Sequence, residues 1–162
     1  MKHLWAPWRM AWIRSDKRMY TQEQHCIFCR RAAADDDLVI AGSEHVLVML
    51  NASPYNFGHL LVFPRRHRAS MEDLDEATLL DLMRTANRAM QCLRRLYQPA
   101  GFNVGANIGA EAGASIPDHF HLHIVPRWPG ETGFLTTIGD TRAIPDTLDN
   151  TGHELRKAWH EA

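Results

Sequence analysis

The stretch at residues 118–128, DHFHLHIVPRW, decides the fold, because three histidines alternate there with apolar residues. Side chains alternate across a β-strand, so this spacing places His119, His121 and His123 on one face. The other face is apolar and can pack against a core; it carries Phe120, Leu122 and Ile124. The pattern therefore predicts a strand that has one histidine-lined face.

Three imidazoles side by side repel one another when protonated, so at neutral pH at least some of these histidines are neutral. A solvated strand face would explain one such histidine, but it explains three in register poorly. Neutral imidazoles serve as nucleophiles, as bases or as metal ligands. The spacing alone leaves a catalytic histidine and a tri-histidine metal site both open.

A hairpin and a long helix are predicted upstream of the histidine strand. Residues 45–51 (HVLVMLN) and 58–64 (GHLLVFP) are short and apolar, and the intervening ASPYNFG is rich in turn-forming residues, which favours two antiparallel strands. Residues 75–97 instead repeat apolar side chains at steps of three and four, as a helix does, and either Asp73 or Asp75 is expected to cap it.

The remaining segments complete an α+β domain. A further strand is predicted at residues 102–108, followed by the Gly/Ala-rich loop GAEAGASIP and the histidine strand, which we expect Pro126 and Pro129 to terminate. Beyond residue 134 we expect irregular structure, with a short final helix near residues 152–159. The sequence thus predicts an antiparallel β-sheet with one long helix packed across it.

The composition is that of a globular domain and favours neither a nucleic acid polymer nor a membrane as partner. The 162 residues are 45% hydrophobic, and 18 basic against 19 acidic residues give a net charge of -1. The N-terminal MKHLWAPWRMAWIR is interrupted by Pro7 and Arg9, and no uncharged run is long enough to span a bilayer. We therefore expect a cytoplasmic protein.

Several motifs, taken together, resemble the histidine triad (HIT) family. They are GHLLV at residues 58–62, NIG at 107–109, AGAS at 112–115 and HFHLHIVPR at 119–127. More specifically, LWAPWRM, PRWPGETGF and TTIGDTRAIPDTL resemble the bacterial branch that acts on diadenosine polyphosphates. The resemblance implies a single HIT-like domain over residues 1–162, with a core at about 26–134, an N-terminal arm at 1–25 and a C-terminal tail at 135–162.

The resemblance also implies a covalent mechanism. His121 would attack the α-phosphorus of a dinucleoside polyphosphate, such as diadenosine tetraphosphate, and form a nucleotidyl-histidine. His123 and His59 would hydrogen-bond the non-bridging phosphate oxygens and stabilise charge in the transition state. These three histidines are the expected catalytic residues.

Nucleotide binding is expected from His123 and from four other residues that the resemblance places around the phosphates. Asn51 would meet the ribose hydroxyls, and Asn107 would meet the phosphate or the bridging oxygen. The GAEAGAS loop, which contains Gly113 and Ser115, would let backbone N–H groups approach the phosphates closely, with the serine hydroxyl added.

The acceptor in the second half of the reaction stays open. Hydrolases of the fragile histidine triad type carry glutamine at the position of Asn107. Asn107 followed by GASIPDH is closer to the phosphorylase branch, of the ATP adenylyltransferase type, in which inorganic phosphate replaces water. Either acceptor could resolve the intermediate, and Mg²⁺ could accompany the phosphates of the substrate.

A cysteine pair, Cys26-x-x-Cys29, suggests either a metal site or two buried thiols. Zinc-containing relatives of the triad enzymes use two cysteines, a distal histidine and the histidine two places before the nucleophile. By that resemblance the ligands would be Cys26, Cys29, His67 and His119. Four protein ligands with no open position make a structural rather than a catalytic zinc.

Other functions remain open at this stage. One is a nucleoside phosphoramidate hydrolase; another is a nucleotide-binding regulatory module without turnover, although binding alone needs no neutral nucleophile. A third is a metal-dependent hydrolase with a catalytic tri-histidine zinc, which chelators would inactivate. The family resemblance further implies a homodimer.

Overall fold

The computed structural model describes residues 26–34, 36–131, 133–141 and 143–161; the predicted N-terminal arm lies outside them. The helices are α1 (Ile27–Ala33), α2 (Glu76–Tyr97), α3 (Phe134–Gly139) and α4 (Leu148–His160), with a 3₁₀ turn at Met71–Asp73. The strands are β1 (Val39–Gly42), β2 (Val46–Leu50), β3 (Leu60–Pro64), β4 (Gly101–Gly105) and β5 (Leu122–Arg127). The predicted α+β class is confirmed.

The strands form one antiparallel sheet in the order β1-β2-β3-β5-β4. The predicted hairpin is β2 and β3, in which Val48 lies opposite Val62. Every residue of both strands is buried. Because both faces of the hairpin are covered, its strands are continuous apolar runs rather than alternating ones.

The long helix is confirmed as α2, and Asp75 is its N-cap. The Asp75 side chain accepts a hydrogen bond from the Thr78 N–H at 2.7 Å. Asp73 instead closes a capping box with Ser70 around the preceding 3₁₀ turn. The helix ends at Gln98, which adopts a left-handed conformation and returns its N–H to the carbonyl of Arg94.

The apolar core lies between the sheet and the helices α2 and α4. It joins aliphatic side chains of β2, β3 and β5 to Leu82, Ala86, Ala89 and Leu93 of α2. Leu155 and Trp159 of α4 belong to the same core. The last helix is therefore longer than predicted and is packed into the core, although its residues belong to the predicted tail.

A second, smaller apolar cluster lies on the opposite face of the sheet. It joins Leu47, Met49, Leu61 and Phe63 of the hairpin to Cys26 and Phe28 at the start of α1. Neither α1 nor β1 was predicted from the sequence. We call the surface covered by α1 the histidine face, because His121 and His123 lie there with the cluster.

The histidine strand differs from its prediction at both ends. β5 begins only at Leu122, so His119 and His121 precede it. The N–H of Phe120, between these two histidines, donates to the carbonyl of Arg68. Pro126 lies within β5 and does not terminate it; at that position β5 has passed the end of β3 and pairs only with β4, so the missing N–H costs little.

The other boundary differences are smaller. β4 ends at Gly105, three residues before the predicted end of that strand. Residues 134–139 form α3, where we expected irregular structure. The loop that follows β4 runs past the sheet edge to the histidine face, which is how it approaches the triad.

Candidate functional site

A cavity of about 360 Å³ opens on the histidine face, between α1 and the loops at the ends of β2 and β4. Six of the residues that the sequence nominated line it: Asn51, Asn107, Gly113, Ser115, His121 and His123. The other lining residues are Ile27, Phe28, Ala52, Ser53, Tyr55, Leu61 and Ile116. One cavity thus contains most of the expected catalytic and nucleotide-binding residues.

His121 is held as a neutral nucleophile would need to be. Its Nδ1–H donates to the backbone carbonyl of His119 at 2.9 Å, which leaves the lone pair of Nε2 available for attack. The residue is buried, and burial lowers the pKa of His121 below its ordinary value of 6.5. Its imidazole is therefore neutral at pH 7 and can form a bond through Nε2.

His123 and His59 form a hydrogen-bonded pair whose tautomers follow from the backbone. The Tyr55 N–H donates to Nδ1 of His59 at 3.0 Å, so the proton of that ring is on Nε2. Nε2 of His59 then donates to Nδ1 of His123 at 2.9 Å. His123 consequently carries its proton on Nε2, a buried donor without an acceptor among the described residues.

His59 lies behind the cavity wall and not in the cavity. We expected this side chain to reach the phosphates, but it is 0% exposed and does not line the cavity. It lies behind His123 and fixes the tautomer of that ring. Burial, together with the neighbouring His123 and His121, lowers the pKa of His59 to about 3; burial first and His121 second lower the pKa of His123 to about 4.

Asn51 has a second function besides lining the cavity. Its Nδ2 lies 3.3 Å from Nδ1 of His59, and its Oδ1 accepts from the Ser53 N–H at 2.9 Å. The side chain therefore supports the same tautomer of His59 that Tyr55 does. The second lone pair of Oδ1 and the second N–H of Nδ2 remain for a polar ligand in the cavity.

The Gly/Ala-rich loop lies at the cavity, but two of its N–H groups are already used. Gly113 adopts a φ of 90°, a conformation that favours glycine, and its N–H donates to the Ala110 carbonyl at 3.0 Å. The Ala114 N–H donates to the Gly109 carbonyl at 3.3 Å. These two N–H groups have acceptors within the loop, so the exposed Ser115 is the better polar candidate there.

The four predicted metal ligands meet beside the cavity. The ligand atoms of Cys26, Cys29, His67 and His119 all lie within 4.8 Å of one another. Nδ1 of His119 is 3.3 Å from the sulfur of Cys26 and 3.5 Å from that of Cys29, and Nδ1 of His67 is 3.3 Å from the sulfur of Cys29. Chain segments almost a hundred residues apart thus converge on one point.

These distances fit a tetrahedral zinc ion. With Zn–S bonds of about 2.3 Å and Zn–N bonds of about 2.0 Å, sulfur and nitrogen ligands stand about 3.5 Å apart. Nε2 of His119 lies 2.8 Å from the carbonyl oxygen of Pro64, to which it donates when Nδ1 binds a metal. A single ring nitrogen that approaches two thiols at once is better explained by a shared metal than by two S–H hydrogen bonds.

The triad itself does not converge on a metal. Nδ1 of His121 donates to a backbone carbonyl, Nδ1 of His123 accepts from His59, and Nδ1 of His119 faces the cysteines. Within the described ranges, the one group of three or more His, Cys, Asp or Glu residues close enough to hold a metal is the Cys26 cluster. A tri-histidine catalytic zinc is therefore not supported.

Phe28 connects the two parts of the histidine face and was missed by the sequence reasoning. Its ring centroid lies 5.0 Å from that of His121 and 5.2 Å from that of His119. The residue lies between the two cysteines in the sequence, and this position was the signal that could have identified it. Tyr55 was missed as well, because the turn that contains it was interpreted only as a connection between strands.

Comparison with known proteins agrees with this geometry. Residues 32–130 match the family model described as HIT domain. The chain is 34% identical to an AP-4-A phosphorylase from Mycobacterium tuberculosis, over 98% of this chain and 85% of that protein. It is 33% identical to an asymmetrical bis(5'-nucleosyl)-tetraphosphatase from Schizosaccharomyces pombe, over 48% of this chain and 42% of that protein.

Solved structures share the fold. A Zn-bound histidine triad family protein from Mycobacterium smegmatis superposes with a TM-score of 0.71 at 28% identity, over 86% of this chain and 96% of that one.

Among the described residues, no helix combines the length and the apolar character that crossing a membrane requires.

Proposed function

The chain belongs to the HIT domain family, and we propose that it is an enzyme that cleaves dinucleoside polyphosphates through a nucleotidyl intermediate on His121. The observation that carries the proposal is the tautomer of His121, whose Nδ1 is bonded to a carbonyl while Nε2 faces a cavity lined by the nucleotide-binding candidates. The relatives named for AP-4-A phosphorolysis and for tetraphosphate cleavage support this choice of substrate class.

In the first step, Nε2 of His121 bonds to the α-phosphorus while the bond from that phosphorus to the remaining polyphosphate breaks. The electron pair of the broken bond moves onto the departing oxygen, so ADP or ATP leaves as an anion. The Nε2–H of His123 is a buried donor that lacks a partner in the described chain, and a phosphoryl oxygen that gains charge would be its acceptor. His59 acts through His123 as a positioning residue.

In the second step, an acceptor oxygen attacks the α-phosphorus and the P–N bond breaks. The electron pair of that bond returns to Nε2, which restores neutral His121, and the proton of the acceptor is released to solvent. Water as acceptor gives AMP, and inorganic phosphate gives ADP. We propose phosphate as the principal acceptor, because the relative that matches nearly the whole chain is named as a phosphorylase. Asn107 and Ser115 are the polar cavity residues on the loop side that would contact the phosphates, and Asn51 would contact a ribose.

We further propose that the cysteine–histidine cluster binds a structural zinc ion. Cys26, Cys29, His67 and His119 supply four ligands, so the ion would have no position for substrate and would stabilise the fold. The backbone carbonyl of one ligand, His119, holds the nucleophile, and Phe28 between the cysteines contacts it. The cluster would thus fix both the ring orientation and one wall of the cavity.

Two further expectations stay proposals. β4 is an edge strand, with pairing to β5 on one side, and a second copy of the chain could pair with its other side to form the expected homodimer. Mg²⁺ could accompany the substrate's phosphates, whose charge the cavity does not balance.

The test is to incubate the protein with diadenosine tetraphosphate, with and without inorganic phosphate, and to separate the products. We expect ADP and ATP only when phosphate is present. A His121→Asn variant should lose activity by about 10⁴-fold or more, since a nucleophile has been removed, while its melting temperature stays near that of the parent. Denaturation in the presence of labelled substrate should trap a nucleotidyl protein in the parent only.

Each alternative has its own signature in that experiment. AMP and ATP without added phosphate would make the enzyme a hydrolase. Cleavage of adenosine 5′-phosphoramidate with none of the tetraphosphate would favour the phosphoramidate hydrolase. Binding of the tetraphosphate without turnover, in the parent and in His121→Asn alike, would refute the covalent mechanism.

A further inference from the structure

We propose that a second cavity, on the other side of Tyr55, is a subsite for the distal phosphates of the leaving group, with Arg127 as its cation. The inference rests on the proposed function and extends it to substrate selection. The second cavity measures about 210 Å³ and is lined by Tyr55, Asn56, Asn103, Val125 and Arg127. We call it the distal cavity.

The triad cavity lacks cationic side chains among the described residues that line it. A dinucleoside polyphosphate carries several negative charges, and the described residues that line the triad cavity include neither lysine nor arginine. His123, which also lines that cavity, accepts at Nδ1 from His59 and therefore carries only one ring proton. Positive charge must therefore come from outside the triad cavity. Arg127 supplies it in the distal cavity, which shares Tyr55 with the triad cavity.

Strand β5 runs from the triad to Arg127. Side chains two residues apart in a strand share a face, so His123, Val125 and Arg127 continue the row of the triad. Asn103 of β4 lies opposite Val125 and completes the floor of the distal cavity. From His123 to Arg127 the strand spans about 13 Å. A chain of phosphates that starts beside His123 and follows this row of side chains would extend toward Arg127.

Tyr55 lies between the two cavities. Tyr55 lines both of them. Its ring is 15° from parallel to that of His123, at 5.6 Å between centroids, yet the residue is 58% exposed. Tyr55 therefore forms a wall common to both cavities, and a leaving group that extends from one cavity into the other would contact its exposed ring.

Arg127 is held in place without being covered. Its Nε donates to Glu131 at 2.8 Å, and its Nη1 donates to Oδ1 of Asn103 at 2.7 Å. Glu131 in turn accepts from the Trp128 N–H and from Nδ2 of Asn56. Nη2 makes no such bond within the described residues, and the guanidinium side chain is 46% exposed, so an anion can reach it.

The size of the distal cavity favours phosphates over a second nucleoside. Pockets for drug-sized ligands measure about 300–1,000 Å³, and this cavity is smaller. Phosphate oxygens suit a guanidinium that is already oriented by two neighbours. The enzyme should therefore select its substrates by the charge of the leaving group more than by the base of the distal nucleoside.

The test compares Arg127→Gln with the parent and with Arg84→Gln, which removes an exposed arginine from α2. Binding of inorganic tripolyphosphate is measured by calorimetry, and kcat/KM is measured for diadenosine tetraphosphate and for adenosine 5′-phosphoramidate, whose leaving group has no phosphate. Arg127→Gln should weaken tripolyphosphate binding and lower kcat/KM for the tetraphosphate by about tenfold each, mainly through KM. The phosphoramidate should be unaffected, and Arg84→Gln should behave as the parent.

Arg127→Lys separates an effect of charge from an effect on structure, because it keeps the positive charge but not the hydrogen bonds to Glu131 and Asn103. Melting curves are recorded for all variants. Arg127→Lys should recover part of the tripolyphosphate binding. Equal losses on both nucleotide substrates, or no change in tripolyphosphate binding, would overturn the subsite. If the parent turns over neither nucleotide but binds tripolyphosphate through Arg127, the proposed function fails while the anion subsite stands.

Discussion

The two faces of the sheet are stabilised by different kinds of contact. On one face, α2 and α4 cover a core of aliphatic side chains that includes Leu82, Leu93 and Leu155. On the histidine face, α1 covers a smaller apolar cluster, the cysteine–histidine group and the triad cavity. Apolar contacts are non-directional and tolerate small changes, whereas each contact around the triad depends on one atom at one distance.

This difference separates stability from chemistry. The helix-covered core lies across the sheet from the triad cavity, so we expect changes in its packing to leave the orientation of His121 unchanged. The histidine face cannot change in that way, since His119 supplies both a ligand atom to the cluster and the carbonyl that orients His121. Substitutions on the two faces should therefore produce different combinations of lost stability, lost metal and lost turnover.

The largest effect on stability is expected on the histidine face. Cys26→Ser removes one of the four proposed zinc ligands, and we expect zinc content to fall and the free energy of unfolding to drop by more than about 4 kcal/mol. A chelator should reproduce the effect in the parent. Cys92→Ser is the matched control, because Cys92 is an equally buried thiol in the helix-covered core. Unchanged stability in Cys26→Ser, with zinc still bound, would contradict the ligand assignment.

The next largest loss of stability is expected from a substitution in the helix-covered core. Leu93→Ala deletes a fully buried side chain from α2, and we expect the free energy of unfolding to fall by about 2–5 kcal/mol. Zinc content and kcat at a temperature where the variant is folded should equal those of the parent. A fall in kcat that tracks the fall in stability would show that the two faces are not independent.

A pH titration sharpens the comparison through His59. The pKa of His59 is lowered to about 3 in the folded chain from an ordinary value of 6.5, so the unfolded chain binds more protons between these values. His59 therefore favours unfolding increasingly as the pH falls below 6.5, by roughly 1 kcal/mol per pH unit. Denaturant midpoints from pH 7 to pH 5 for the parent and for His59→Gln should differ in slope; equal slopes would refute the assignment.

The smallest effect is local to the helix side. Asp75→Ala removes the N-cap of α2, and we expect a loss of about 1 kcal/mol, measured by urea denaturation. Asp73→Ala is the control at a neighbouring position, since Asp73 caps only the 3₁₀ turn. Turnover should be the same in both variants.

Local patterns predicted the helix side better than the histidine side. The hairpin follows from two short apolar runs around a turn, and α2 follows from helical periodicity over residues 75–97. Both elements form, and Asp75, one of the two predicted caps, is the N-cap of α2. The site residues came from family motifs, because no local pattern tells which of Cys26, His67 and His119 will meet. The roles of Phe28 and Tyr55, the burial of His59 and the extent of α1 arise only when distant segments pack together.

Pro126 is a case in which a local pattern gave a wrong prediction, because β5 continues through it. A proline in a strand sequence predicts termination, and only the end of β3 at that position makes it harmless within β5. The number of neighbours that a strand has at a given residue is a property of the assembled sheet.

The convergence of Cys26 and His119, which are 93 residues apart, has a consequence for folding kinetics. Closing a loop of this length costs chain entropy, so we expect the ligands to meet late in folding, after β3 and β5 have paired, and the cluster to contribute little to the transition state. An ion bound there would leave the rate of folding almost unchanged and would slow unfolding instead. The metal site would then set the lifetime of the folded enzyme more than the speed at which it forms.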